Sequence, residues 1–171
     1  MPNTPQEQED RELEALGRRF ITALGYREAG KLDTAEEELR AILREEPRLP
    51  EPHMELARVL LDTDRLTDAE AHAREALGYL QAGGQWTEEL PEPVVLALSH
   101  ALLAEVLRRR ADEDDVIFGA PDAFKAIVAE AKSHFLRANE LDPRDEYSSY
   151  YAFFLGMEGQ GPSMPGEPAS E

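Results

Sequence analysis

Similar residues recur in this chain at a constant offset of 34 positions, and this internal repeat restricts the possible folds more than any other feature. The matching pairs include Ala23 and Ala57, Tyr26 and Leu60, Leu32 and Leu66, Ala35 and Ala69, Arg40 and Arg74, and Leu43 and Leu77. Within each unit, apolar residues recur at helical spacing, and glycine or proline separates the segments. We therefore predict that each unit is a hairpin of two helices. Because one hairpin cannot cover its own apolar face, neighbouring hairpins must stack.

The same spacing predicts helices throughout the central part of the chain, and no segment there is typical of a strand. The predicted helices lie near residues 9–29, 34–46, 51–63, 68–81, 92–110, 122–141 and 144–157. Two of them begin with the pattern of a capping box, Asp33 with Glu36 and Thr67 with Glu70. Residues 1–8 and 158–171 are polar and contain proline, so we predict that both are disordered tails.

The hairpins resemble the tetratricopeptide repeat family. Its pattern has a small residue in the first helix, an apolar or aromatic residue three positions later, a small residue opening the second helix, a large apolar residue four further on, and a closing proline. The first unit supplies Ala23, Tyr26, Ala35, Leu39, Ile42 and Pro47; the second supplies Ala57, Leu60, Ala69, Ala73 and Ala76, with Gln81 in place of the proline; the third supplies Ala104, Leu107, Ala131, Phe135, Ala138, Leu141 and Pro143.

The third unit is longer than the other two. Ala104 precedes Ala131 by 27 positions, whereas Ala23 precedes Ala35 by 12, so the third hairpin contains an insertion of 15 positions. The resemblance places the repeats at about 16–49, 50–83 and 92–145, with the insert at 111–121. It implies an all-α fold, a right-handed superhelix of stacked antiparallel helix hairpins, closed by a C-terminal capping helix at 144–157.

Charge and composition limit the possible partners. The 36 acidic and 18 basic residues give a net charge of −18, which disfavours nucleic acid and anionic membranes as partners. The chain has no cysteine, no apolar stretch long enough to cross a bilayer and no visible secretory signal. We therefore expect a cytoplasmic protein, and the excess of arginine over lysine points to a bacterial genome.

No residue pattern indicates catalysis. The four histidines lie in different predicted helices, and none has a second histidine four residues away. The acidic run at 112–115 lacks the spacing of a calcium loop. No nucleophile elbow, phosphate loop or dinucleotide motif is present. We expect a non-enzymatic protein that needs no cofactor and no metal ion.

The resemblance instead implies that the first helices of the hairpins line a concave groove that binds a protein segment. Transferred position by position, its lining is Phe20, Leu24 and Arg27, then Met54, Arg58 and Leu61, then Leu98, Ala101, Glu105 and Arg108. The family's best-known clamp for heat-shock chaperone tails is absent, since Phe20, Leu24, Glu55 and Leu98 replace its lysines and asparagines. The three groove arginines favour an amphipathic or extended partner segment that carries carboxylates.

Two other regions are candidates for secondary contacts. Val116, Ile117 and Phe118 form an apolar patch in the insert, which either folds back onto the hairpin or contacts a partner. Tyr150 and Phe154 belong to the aromatic capping helix, which either covers the last repeat alone or also forms an association surface.

The predicted function is a protein-binding scaffold or adaptor, with bacterial secretion chaperones as a narrower resemblance. The alternative is an assembly subunit that oligomerises through the last helix or the convex face. The oligomeric state stays open, with a monomer favoured.

Overall fold

Seven helices build the computed structural model, which describes residues 4–145 and Ser148. They are α1 (Pro5–Glu28), α2 (Leu32–Glu45), α3 (Pro50–Asp62), α4 (Leu66–Gln81), α5 (Glu92–Ala111), α6 (Asp114–Ile117) and α7 (Pro121–Leu141). No strand occurs among the described residues. The all-α prediction is confirmed, and six of these helices match predicted ones to within a few residues. The short α6 lies inside the predicted insert.

The first helix begins earlier than predicted. Residues 5–8, expected to belong to a disordered tail, form the first turn of α1. Thr4 explains the difference, because its side chain accepts a hydrogen bond from the Glu7 amide at 3.3 Å, and its own amide donates to the Glu7 carboxylate at 3.0 Å. Pro5 at the first helical position has the fixed φ angle that a helix start requires. The polar, proline-containing composition of this segment had led to a prediction of disorder instead of a capped helix start.

The two capping boxes that were predicted are wrong. The second helices of the first two hairpins begin at Leu32 and Leu66, before the expected caps, and neither has a side-chain cap. The glutamates assigned to these boxes form ion pairs one turn further along their own helices. Glu36 accepts a hydrogen bond from Arg40 at 2.8 Å, and Glu70 accepts one from Arg74 at 2.8 Å.

The same two glutamates also connect neighbouring hairpins. Glu36 binds Nη1 and Nη2 of Arg65, the residue just before α4, the first of them at 3.0 Å. The Arg65 guanidinium accordingly lowers the pKa of the Glu36 carboxyl. Glu70 forms an ion pair with Nη1 of Arg110 at the end of α5. Arg74 extends this line of charges to the third hairpin through Glu130 of α7, at 2.6 Å.

The turns inside the first two hairpins are alike. Gly30 and Asp64, which are 34 positions apart, both adopt positive φ angles, 75° and 59° respectively. In each turn the amide of the following residue donates to a carbonyl five residues earlier, at 2.9 Å. Glycine reaches this left-handed conformation without a Cβ clash, whereas aspartate is one of the few other residues that tolerate it.

Three hairpins stack to form the core. α1 packs against α2, α3 against α4 and α5 against α7, while α1 also contacts α3 and α3 contacts α5. The helices α1, α3 and α5 therefore form one layer, and every residue from 50 to 57 in the central α3 is buried. The small residues of the repeat pattern lie where helices approach closely, and each is 0% exposed: Ala23, Ala35, Ala57, Ala69, Ala104 and Ala131.

The end of the predicted architecture falls largely outside the described residues. This applies to most of the capping helix at 144–157, with Tyr150 and Phe154, and to the tail at 158–171. Ser148, which is described, is buried, and its amide donates to the Asp145 carboxylate at 3.1 Å.

Candidate functional site

The ten predicted groove residues all belong to the layer formed by α1, α3 and α5, but they differ in exposure. Phe20 and Met54 are 7% and 4% exposed, so they support the surface from beneath and cannot present themselves to a partner. The remaining eight are partly or well exposed: Leu24, Arg27, Arg58, Leu61, Leu98, Ala101, Glu105 and Arg108. We call these eight residues the α1–α3–α5 face.

A cluster of three charges joins α1 to α3 at the centre of this face. The Glu55 carboxylate lies between two guanidinium groups, with Arg27 Nε at 2.9 Å and Arg58 Nη1 in direct contact. The Arg27 contact is an ion pair whose atoms are not aligned as a hydrogen bond. The Glu55 side chain is only 9% exposed, whereas the two arginine side chains are 31% and 27% exposed. Glu55 therefore positions both arginines while leaving part of each guanidinium accessible.

The α5 part of the face combines apolar and charged side chains. Leu98 is 40% exposed. Nearly three turns further along α5, Arg108 donates two hydrogen bonds to Glu105, both at 2.8 Å. The neighbouring Arg109 donates to the Leu61 carbonyl at 3.0 Å and thereby ties the end of α5 to the end of α3.

The connection between α4 and α5, residues 82–91, contributes a contact that the sequence did not reveal. The buried Glu51 of α3 accepts hydrogen bonds from the Trp86 amide at 3.1 Å, the Thr87 amide at 3.0 Å and the Thr87 hydroxyl at 3.2 Å. The Trp86 ring packs against Phe20, with ring centroids 5.6 Å apart. The only clue in the sequence was a tryptophan within an otherwise polar connection.

A cavity of about 430 Å³ lies between this connection and α1, beside the contact of Trp86 with Phe20. Its apolar walls come from Leu13, Gly17, Phe20, Ile21, Leu24 and Trp86. Gly17 matters to its shape, because a Cβ atom there would lie 3.8 Å from the Trp86 ring. Ile21 is 65% exposed at the edge of the cavity. The cavity thus continues the α1–α3–α5 face towards the N-terminal end of the chain.

Residues 26–86 match the family model of the tetratricopeptide repeat. Over this segment the chain is similar to the tetratricopeptide repeat family. No curated protein matches the chain. The matched segment runs from the end of α1 to Trp86, and the third hairpin lies outside it. Tetratricopeptide repeats generally mediate protein–protein interactions and are typically not enzymes.

The insert in the third repeat divides its apolar patch. Val116, in the short α6, is 7% exposed and packs back onto the hairpin. Ile117 and Phe118 are 49% and 83% exposed and point away from it. The fold-back alternative therefore holds for Val116, whereas contact of Ile117 and Phe118 with a partner stays a prediction.

The repeats also bring the four histidines together in two pairs, although the sequence had suggested only their separation. The Nδ1 atoms of His53 and His72 are 2.9 Å apart, and those of His100 and His134 are also 2.9 Å apart. Their positions relative to the small alanines of the repeat would have revealed this arrangement. No group of three or more possible metal-ligating side chains occurs among the residues that the structure describes.

The described helices can also be compared with the length and apolar character that a membrane-spanning helix needs. None of those within residues 4–145 is both long enough and apolar enough to cross a bilayer.

Proposed function

We propose that this protein is a non-enzymatic scaffold or adaptor that binds a segment of another protein on the α1–α3–α5 face. The observation that carries the proposal is the Arg27–Glu55–Arg58 cluster. A buried carboxylate holds two partly exposed guanidinium groups in place, next to the half-buried Leu24 and Leu61. Pre-positioned arginines can grip a carboxylate with two parallel hydrogen bonds and lose little side-chain entropy on binding.

The local charge indicates which kind of segment fits. The cluster contains two cations and one anion and so has a net charge of +1, within a chain whose net charge is −18. A strongly acidic partner would be repelled by the molecule as a whole. The favoured partner is therefore an amphipathic or extended segment that has apolar anchors and one carboxylate, but is not acidic overall.

The apolar surface near the cluster would supply most of the binding free energy. Leu24 and Leu61 flank the arginines, Leu98 extends the face along α5, and Ile21 borders the cavity beside Trp86. In protein interfaces a few buried apolar and arginine anchors typically dominate the affinity. We place the anchors of the partner segment against these leucines and its carboxylate against Arg27 and Arg58.

Two other functions have less support among the described residues. A secretion-type chaperone is a narrower form of the same proposal, and it rests only on the small acidic chain with its three hairpins. Oligomerisation through the aromatic C-terminal helix involves residues outside the described part of the chain and stays a prediction. The exposed Ile117 and Phe118 of the insert are compatible with a secondary contact in either case.

A peptide selection tests the proposal and does not require an identified partner. Peptides of random sequence displayed on phage would be selected against the wild-type protein, and calorimetry would give their affinities for variants. We expect Arg58→Glu and Leu98→Asp each to weaken binding at least about tenfold, because they remove a carboxylate contact and an exposed apolar anchor. Met54→Asp is unsuitable, because Met54 is buried and its replacement would disturb the fold.

Glu37→Lys provides the matched control. Glu37 is exposed on α2, outside the layer of α1, α3 and α5, and its replacement also changes the charge by two units. Circular dichroism would establish that all three variants remain folded. If Glu37→Lys weakens binding while Arg58→Glu and Leu98→Asp do not, the binding surface lies on the second helices and the proposal is wrong.

A further inference from the structure

The two histidine pairs occupy the same position in the second and third hairpins. His53 and His100 each precede the small alanine of the first helix by four residues. His72 and His134 each follow the small alanine of the second helix by three residues. In both hairpins the two Nδ1 atoms lie 2.9 Å apart, within hydrogen-bond distance. The repeat therefore has one position where its two helices meet through a polar contact.

The first hairpin has a different contact at that position. Arg19 lies four residues before Ala23 and Glu38 three residues after Ala35, and they form an ion pair at 2.6 Å. Arginine and glutamate both stay charged throughout the neutral and mildly acidic range. A histidine pair does not, because imidazole gains its charge in that range. The contact is thus insensitive to mild acid in one hairpin and titratable in the other two.

The hydrogen-bond partners of the His53–His72 pair assign the tautomers of its neutral form. His53 Nε2 lies 2.8 Å from the Pro47 carbonyl, which can only accept, so Nε2 carries the proton of neutral His53. Its Nδ1 is then the acceptor for Nδ1–H of His72. One added proton can bind Nε2 of His72 and leave this contact intact. A second proton would have to bind His53 Nδ1, and two N–H groups would then face each other.

The surroundings of His72 oppose its charging on balance. Burial lowers the pKa of His72 most, followed by the neighbouring His53 and by Arg40 of α2. Glu75 and Asp68 of α4 act in the opposite direction, and a carboxylate oxygen of Glu75 lies 3.5 Å from His53 Nε2.

The surroundings of the second pair also lower the pKa values of its histidines on balance. Burial lowers the pKa of His100 to about 4, with smaller contributions from His134 and from Arg137 of α7. Burial also lowers the pKa of His134, and Arg74 of α4 adds to this effect. Glu130 of α7 opposes it from 3.7 Å.

We propose that the His53–His72 and His100–His134 pairs are proton-sensitive contacts. They hold the second and third hairpins closed at neutral pH, and on mild acidification both hairpins become less stable. The first hairpin, with Arg19 and Glu38, lacks this response. His53 lies on the side of α3 that meets α4, and His100 on the side of α5 that meets α7. Opening a pair therefore loosens α3 or α5, the helices that carry part of the α1–α3–α5 face. The proposal does not depend on what that face binds.

The direction of the effect follows from proton linkage. In the unfolded chain a histidine titrates near its ordinary pKa of about 6.5, whereas burial lowers the pKa of His72, His100 and His134 in the folded chain. Below that pKa the unfolded state binds more protons, so stability is present above it and declines as the pH falls. The net charge of −18 works in the opposite direction, because mild acidification reduces repulsion between carboxylates.

Urea denaturation at several pH values tests the proposal. From pH 6.5 to 5.5, each histidine that stays neutral when folded should raise the unfolding equilibrium constant about fivefold. His100, whose pKa in the folded chain is about 4, should account for about a fivefold increase in the wild-type protein, and the lowered pKa values of His72 and His134 should add to it. A variant with His53, His72, His100 and His134 all changed to Gln contains no histidine and should show no such increase. Variants with one pair changed should lie between these limits.

A second measurement covers the case in which a variant fails to fold. Nuclear magnetic resonance of the wild-type imidazole nitrogens follows each histidine during titration of the folded protein. We expect His53 as the Nε2–H tautomer, His72 as the Nδ1–H tautomer, and His100 still neutral at pH 5.5. Ordinary titration of His72, His100 and His134 near pH 6.5 in the folded chain would overturn the proposal. So would an equal pH dependence of unfolding in the wild type and the histidine-free variant.

Discussion

Glu51 offers the most direct way to test how the connection at 82–91 is held against α3. Its carboxylate accepts three hydrogen bonds, from the Trp86 amide, the Thr87 amide and the Thr87 hydroxyl, at 3.0 to 3.2 Å. Glu51→Ala removes all three acceptor contacts together with the charge. Since Glu51 itself is only 9% exposed, the substitution also leaves a small gap beneath the connection.

The expected loss of stability can be estimated from these contacts. Hydrogen bonds to a charged group typically contribute about 1.5–3 kcal/mol each, but several bonds to one carboxylate are not additive. Trp86 and Thr87 are only half-buried, so water can replace part of what their amides lose. We therefore expect Glu51→Ala to lower the free energy of unfolding by about 2–3 kcal/mol, well below the simple sum of three bonds.

Tryptophan fluorescence reports on this contact directly, because Trp86 is the single tryptophan of the chain. Detachment of the connection should expose its ring, which packs against Phe20, and move its emission to longer wavelength. Glu88→Ala is the matched control, since Glu88 is an exposed glutamate of the same connection. Urea denaturation gives the change in stability. Unchanged emission and stability in Glu51→Ala would refute the view that this carboxylate anchors the connection.

Two further substitutions probe the repeat geometry. Gly30→Ala should lower the free energy of unfolding by about 1–2 kcal/mol, because φ at this turn is 75°. Gly25→Ala, in the last turn of α1, where a Cβ atom would meet no other atom, should instead raise it by about 0.5–1 kcal/mol, and equal effects in urea denaturation would contradict the assigned turn. Ala57→Leu should lower the melting temperature, with a loss of about 1–3 kcal/mol, because the alanine is 0% exposed in the central helix. A neutral result there would show that the helix crossing has room for a larger side chain.

The helices and their pairing into hairpins were predictable, because they depend on short-range spacing. Apolar residues three and four positions apart mark one face of a helix, and the constant offset between matching residues shows that the same unit recurs. Small residues such as Ala57 and Ala104 mark the points where helices cross closely. The register of the third hairpin could be predicted across its insert for the same reason.

Helix starts were less predictable, since several side chains compete for the same role. Asp33 and Thr67 had the spacing of capping residues, but α2 and α4 begin before them. Glu36 and Glu70 were free to pair with arginines of the next hairpin, and those arginines become neighbours only after stacking. The true capping box, at Thr4, lay in a segment whose composition suggested disorder.

The candidate site was predicted in outline and decided in detail by tertiary packing. The repeat pattern placed ten residues on one layer of helices, but it could not show that Phe20 and Met54 are buried there. Nor could it show that Glu55 lies between Arg27 and Arg58, because that contact depends on the distance and tilt between two hairpins.

Long-range polar contacts could not be predicted from the sequence, and the reason is physical. Glu51 and Trp86 are 35 residues apart, and Arg27 and Glu55 belong to different hairpins, so no local spacing rule connects them. By itself the sequence determined the helices, the repeat and the positions of the small residues, which follow from the periodicity of the backbone. The tertiary structure decided which polar side chains meet, because such contacts form only where close packing of separate hairpins brings donor and acceptor within about 3 Å.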